Sequence, residues 1–338
     1  MKPTARRRAA VLAGLGTYLP PDVVTNELLA QELDTSDTWI RTRTGIARRH
    51  IACDEVRTSD LAVAAGERAL ATDLSTVDAV VLATTTPDQS CPATAPQVAH
   101  RLGLGGLPAM DVSAACTGFV YGLATVSSMV TAGLFDRVLL IGADTFSRTL
   151  DPADRTTRAL IGDGAGAVVL RAGDPEEDGA LLGFDLGSDG SLVELLHVPS
   201  VSRTERAEGL ASNYFHMEGR PVFTNAVIRM TESVARLLKQ LEWTVEQVDR
   251  LVPHQANVRI LEAVADQLDL PRDRLVTNIA EVGNTVAASI PLAFAHALRH
   301  DGLHPGERVV ITGFGAGLTW GSAALRWPAI TDTTNLRT

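Results

Sequence analysis

The chain has 338 residues, 45% of them hydrophobic and 21% charged, enough for about two ordinary domains with a large core. A formal net charge of -10 argues against nucleic acid or an anionic membrane as a bulk partner. Three cysteines, Cys53, Cys91 and Cys116, form no CxxC pair. This argues against a disulfide framework or zinc site and for a reducing, cytoplasmic setting.

Arg6, Arg7 and Arg8, followed by the apolar run from Ala9 to Leu15, have the outline of a signal peptide. The run is too short, Gly14 and Gly16 break it, and Pro20 and Pro21 follow with no small-residue cleavage site. A buried first strand behind a basic tail is expected instead. No apolar run reaches the ~18 residues of a spanning helix. Residues 59–71 and 226–241 carry apolar side chains three and four apart and predict helices. Short runs rich in Val, Leu and Ile at 79–83, 137–141, 165–170, 250–252 and 309–312 predict buried strands. Strands alternating with helices imply an α/β architecture.

The two halves repeat each other. Each runs strand, amphipathic helix, short strand, turn, long apolar helix, glycine, strand. From Asp78 to Cys116 is 38 positions and from Asp249 to Asn284 is 35; from Cys116 to Gly142 is 26 and from Asn284 to Gly313 is 29. Such a repeat suggests two similar units about a pseudo-twofold axis. The acidic stretch 172–179, with its Gly and Pro, marks the boundary, giving halves at 1–175 and 176–338. Residues 199–213 are polar and are expected to be a surface excursion.

Cys116, in "DVSAACTGFVYGL", falls where a strand gives way to an apolar helix. A helix N-terminus favours thiolate, although a small buried core residue is the other reading. His254, in "LVPHQANVRI", directly follows a buried strand; a structural histidine is the plainer alternative. His296, His300 and His304 lie in or after an amphipathic segment, as surface or capping residues would. Asn284, in "EVGNTVAASIP", is either an N-cap or, from its place in the repeat, the second half's counterpart of Cys116. Cys, His and Asn converging on one cleft would supply a nucleophile, a base and an amide donor. The run "GFGAGLTWG" has no acidic residue about twenty positions on, as a dinucleotide fingerprint requires. It reads better as a tight turn between strands that aims the Gly315 N–H into the cleft. "GDGAGAVVL", from Gly162, enters a strand and is no phosphate loop.

The blocks "TWIRTRTGI", "ACTGFVYGL", "GDGAGAVV", "VPHQANVRI", "GNTVAASIP" and "GFGAGLTWG", in this order, resemble the ketoacyl-ACP synthase III family over nearly the whole chain. The resemblance implies a thiolase fold of layers α-β-α-β-α and a homodimer. It implies decarboxylative condensation of an acyl-CoA primer with a malonyl-ACP type thioester, starting fatty acid or polyketide chains. The family's triad falls on Cys116, His254 and Asn284, and its oxyanion donors on the N–H groups of Cys116 and Gly315. Its coenzyme A contacts fall on Trp39 and Arg155, flanking the adenine, on Arg43 near the phosphates, and on Gly219 and Asn257 along the pantetheine. Coenzyme A enters as part of the substrate, and no metal or redox cofactor is implied.

Three departures from the family pattern stand out. Val286 stands where Ser is usual. Thr224, Asp266 and Gln267 replace lysines that in some members dock the acyl carrier protein, so that Arg259 alone remains of that patch. Cys91 stands where many members place a Phe that enters the partner's acyl pocket, which Phe215 and Met217 are expected to line as well. The rival readings are an acyltransferase on the same fold that moves the acyl group without decarboxylation, and a cysteine hydrolase, whose papain-type layout the repeat does not resemble.

Overall fold

The computed structural model describes residues 8–71, 76–200, 213–300 and 302–330. Arg6 and Arg7, and residues 201–212 of the expected surface excursion, lie outside these. The apolar run behind Arg8 is a strand, Ala9–Tyr18, buried along most of its length. It pairs antiparallel with Gly164–Gly173, which pairs antiparallel with Arg137–Asp144; Ala79–Ala83 and Ala109–Val112 continue the sheet in parallel. All five residues of Ala79–Ala83 are buried, as expected of a strand covered on both faces.

The second sheet repeats this order and these senses with Leu181–Ser188, Thr319–Arg326, Arg308–Gly315 and Arg250–Pro253. In place of a fifth strand, Leu275 makes an isolated parallel bridge to Leu251. The sequence repeat is therefore a repeat of sheet topology.

Helices form the other three layers. Thr58–Ala71 and Ala95–Arg101 cover the outer face of the first sheet, setting Leu61, Ala65 and Val98 against Val80, Leu82 and Leu139. Gly118–Thr131 and Ser289–Arg299 fill the space between the sheets, where Phe119 and Phe294 meet edge to face at 6.5 Å. Gly219–Gln240 and Val258–Gln267 cover the second sheet, with Met230, Leu237 and Val264 clustered on Val310 and Phe314. This is the α-β-α-β-α arrangement expected from the sequence. The long outer helix starts at Gly219 rather than 226. Pro221 falls in its first turn, where the missing N–H has no intrahelical acceptor to lose. No described helix is long and apolar enough to cross a membrane.

Candidate active site

Cys116 lies in the short helical turn Ala115–Thr117, between the strand Ala109–Val112 and the helix Gly118–Thr131. The second half builds the same turn as Val286–Ala288 ahead of Ser289–Arg299. The counterpart of Cys116 is thus Ala287, and not Asn284 as the repeat suggested. With this correction the spacings agree: Asp249 to Ala287 is 38 positions and Ala287 to Gly313 is 26, as from Asp78 to Cys116 and from Cys116 to Gly142. Ala115 and Val286, equivalent in the same way, both have left-handed φ, 47° and 50°. For a β-branched residue such as Val286 this is strain held at a special turn.

Close backbone approaches lock each turn to the opposite half. A Cβ on Gly142 would lie 2.4 Å from the Ala287 carbonyl oxygen, and one on Gly315 would lie 2.8 Å from the Cys116 backbone nitrogen. Asn284 is clamped by its backbone, donating to Leu160 O at 2.8 Å and accepting from Gly162 N–H at 2.9 Å. The "GDGAG" run, read from sequence only as entering a strand, provides that clamp. The Asn284 Oδ1 accepts the Val286 N–H at 3.0 Å, which leaves the NH2 group for a ligand. Because a backbone N–H makes this bond, Val in place of Ser does not remove it.

His254 follows the strand Arg250–Pro253 and donates its N–H to Thr312 O at 2.8 Å. Buried Gln255 fixes the exit of the chain. Its N–H donates to Ser289 Oγ at 2.7 Å, and its Oε1 accepts the Asn278 N–H at 3.0 Å. The His254 ring is buried, and neither ring nitrogen has a partner among the described residues.

These side chains open on one cavity of about 300 Å³. Cys116, His254, Asn284, Phe215, Met217, Gly219 and Asn257, all expected at the site, line it. Phe146, Ile161 and Val286 pack around Cys116 as an apolar floor. An apolar cavity with a few convergent polar groups is the usual form of a small-molecule site.

The electrostatics correct one expectation. Burial, helped by the charge of Asp144, pushes the Cys116 thiol up to about 12 against the pull of its own backbone N–H. Burial pulls His254 down to about 3. The resting pair is therefore a neutral thiol beside a neutral imidazole, and not the thiolate expected from the helix N-terminus; the apolar walls outweigh that end of the helix.

The remaining expected residues lie off the cavity wall. The Cζ atoms of Arg43 and Arg155 each sit 5.1 Å from the centre of the Trp39 ring. Arg155 also donates to the backbone oxygen of Asp34. Trp39 and Arg155 were expected to flank an adenine, with Arg43 at the phosphates. Both guanidiniums stack on the indole through cation–π attraction. Asn257 caps Val258–Gln267 by accepting the Arg259 N–H at 2.9 Å, and its Nδ2 donates to Arg43 O at 3.0 Å, tying the cavity to the helix Asp37–Thr44 that carries Trp39. Arg259 is exposed beside Phe223, 5.9 Å from the ring centre. Cys91 is exposed and is not on the wall of this chain's own cavity.

Two buried residues were missed. Arg49 donates to Val24 O, Asn26 Oδ1 and Ala159 O, and its stem underlies Gly162 and Gly283 beside Asn284. Burial draws its guanidinium down to about 10. Asp144, fully buried, closes the strand Arg137–Asp144. Its only signal was an acid at the end of an apolar run.

Residues 110–190 match the family described as 3-oxoacyl-[acyl-carrier-protein (ACP)] synthase III, and residues 238–327 match the C-terminal part of that family. A β-ketoacyl-[acyl-carrier-protein] synthase III of Pseudomonas aeruginosa is 65% identical over 327 residues, 96% of this chain and 99% of that protein. Synthase III 5 of Streptomyces coelicolor is 57% identical over 96% of this chain and 98% of its own. The crystal structure of the 3-oxoacyl-(acyl carrier protein) synthase III of Pseudomonas aeruginosa superposes with a TM-score of 0.92 at 63% identity, covering 96% and 99% of the two chains. The priming β-ketosynthase of a polyketide biosynthetic pathway gives 0.90 at 32%, covering 96% and 98%.

Proposed function

The chain belongs to the 3-oxoacyl-[acyl-carrier-protein] synthase III family, and on that premise we propose how its residues divide the reaction. The enzyme carries out a decarboxylative condensation that starts fatty acid or polyketide chains. The observation that carries the residue assignment is the neutral Cys116–His254 pair facing the Asn284 amide in one apolar cavity.

In the first half-reaction the Cys116 sulfur attacks the carbonyl of an acyl-CoA while His254 takes the thiol proton. The C–S bond to coenzyme A breaks, and His254 returns the proton to the leaving thiolate. A malonyl thioester then binds with its carbonyl oxygen between the His254 ring N–H and the Asn284 NH2. Both donate as CO2 leaves and enolate charge gathers on that oxygen. A neutral imidazole suits this role, because it can donate without first being charged. The enolate carbon attacks the acyl-enzyme, whose oxyanion lies between the N–H groups of Cys116 and Gly315; the carbonyl re-forms as the bond to Cys116 breaks, and the departing thiolate takes a proton from solvent to restore the resting thiol. This cycle draws on no metal or redox cofactor.

Trp39, Arg43 and Arg155 receive the nucleotide end of acyl-CoA, and Gly219 and Asn257 flank the pantetheine. For that, the indole stack must open. The acyl carrier protein docks beside Arg259; Asp266, where other members carry Lys, is paired with Arg272 at 2.7 Å. A homodimer is supported by the sheet edge Ala109–Val112, whose Met110 and Val112 are only half-buried. An open strand of this kind invites pairing with a second copy. We take 1–175 and 176–338 as the two halves and place the enzyme in the cytoplasm.

Incubation with acyl-CoA and a malonyl thioester tests the reading. A β-ketoacyl product with one CO2 released per turnover is expected. Acyl transfer without CO2 would leave the acyltransferase reading in its place.

A further inference from the structure

The strands Arg137–Asp144 and Arg308–Gly315 are equivalent across the pseudo-twofold. Their last residues, 144 and 315, are 171 positions apart, as are 116 and 287. In one half Gly315 lies on the turn of Cys116 and puts no side chain there. In the other half Asp144 extends its carboxylate to the equivalent turn, and Oδ2 accepts the Ala287 N–H at 3.1 Å. Oδ1 accepts the Thr84 hydroxyl and both the N–H and hydroxyl of Thr85 and Thr86, at 2.8–3.2 Å. Thr85 lines the substrate cavity.

We propose that Asp144 is a positioning residue for the condensation step: where Gly315 brings bare backbone against the turn of Cys116 in one half, the Asp144 carboxylate in the other half bonds the turn that follows Asn284 and holds it against the Thr84–Thr86 loop. The inference rests on the reading of Asn284 as a donor to the malonyl thioester. The geometry is specific to a carboxylate. Three of its donors, the N–H groups of Thr85, Thr86 and Ala287, cannot accept a proton, so every one of them requires an acceptor oxygen. Burial pushes the Asp144 pKa up and these bonds oppose it. In the ionised form it has a second effect, since its charge opposes formation of the Cys116 thiolate. Among the described residues, the titratable groups around Cys116 are Asp144, His254 at the end of Arg250–Pro253, and His197 on the wall of the same cavity. One buried carboxylate thus aligns the decarboxylating amide while keeping the nucleophile protonated until His254 relieves it.

Asp144→Asn keeps the shape but offers only one acceptor oxygen, so either the threonine loop or the Ala287 N–H loses its partner. Acyl loading, followed by intact mass, is expected to be undiminished, since the charge that opposes the Cys116 thiolate is gone. Decarboxylation of a malonyl thioester should fall by roughly tenfold or more, as for a misplaced catalytic group. The pH profile of Cys116 alkylation should move toward lower pH. Where Asp144→Asn does not fold, Thr86→Val, which deletes one donor to Oδ1, must show the same split between loading and decarboxylation. Equal loss of both steps, or loss of neither, in a folded variant overturns the proposal. Asn284→Ala separates the two levels: if it still decarboxylates, the reading of Asn284 has failed; if it does not and Asp144→Asn does, the role of Asp144 has failed.

Discussion

A Cβ on Gly315 would lie 2.8 Å from the backbone nitrogen of Cys116 and 2.9 Å from its Cβ. Neither neighbour is a flexible side-chain end, so a larger residue must drive the two backbones apart and spoil any oxyanion site between their N–H groups. Gly315→Ala should slow acylation of Cys116 by roughly 10²-fold, the usual cost of losing such a donor. Gly313 is the control, since its Cβ would meet Cys116 O, His254 Cβ and a Thr117 methyl at 3.6 Å, ordinary contact. Gly313→Ala should acylate within a few-fold of wild type. Equal rates in the two variants, by stopped-flow or quenched mass spectrometry, would remove Gly315 from the mechanism.

Arg155 stacks on Trp39 and is tied to Asp34. Arg can pair with phosphate and stack on an aromatic face in ways that Lys cannot match. Arg155→Ala should raise KM for acyl-CoA roughly tenfold, about the worth of one partly desolvated cation–π contact on the adenine, and leave the same acyl group on a short pantetheine-like thioester unaffected. If both substrates suffer alike, Arg155 is structural.

Much of this was legible in the chain because buried strands and glycine turns leave strong marks. The run 79–83 is a strand with those same bounds, and Cys116 sits at the predicted strand-to-helix turn. Asn284 was placed in the right cavity by a wrong correspondence. Sequence spacing aligned it with Cys116, whereas the turn geometry aligns Ala287, and only backbone conformation separates two candidates three residues apart. The thiol's electrostatics were read from the helix end alone. The apolar floor of Phe146, Ile161 and Val286, brought together from distant segments, decides them. Asp144 and Arg49 escaped notice because a buried charge with backbone partners has no sequence pattern.

His254 gives a pH dependence with a definite sign. Its folded-state pKa lies near 3 and its ordinary value at 6.5, so between these the unfolded chain binds more protons. Stability is unaffected above about pH 6.5 and falls as pH drops below it, by about 1.4 kcal/mol per unit. From pH 7 to pH 5 wild type should lose roughly 2 kcal/mol more than His254→Asn in denaturant titrations. An identical loss in both would show that His254 is not buried neutral.

Cys91 is exposed in the single chain, and its expected place is the acyl pocket of a second copy. There, Cys in place of Phe leaves volume that a ligand can fill. Wild type should therefore prefer four- to eight-carbon acyl-CoAs to acetyl-CoA in direct competition, and Cys91→Phe should shift the preference toward acetyl. Strong acetyl preference in wild type, unchanged by Cys91→Phe, would end this account of primer choice.

The central claim is that Cys116 carries the acyl group while His254 and Asn284 serve the malonyl thioester. Intact-mass measurement after incubation with acyl-CoA, run beside single-turnover release of CO2 from a malonyl thioester, tests it most directly. Cys116→Ser should gain no acyl mass. His254→Ala and Asn284→Ala should still gain it, the former more slowly, and both should lose CO2 release by roughly 10²-fold or more. Equal loss of acyl loading in all three variants, or CO2 release retained in Asn284→Ala, would contradict the assignment.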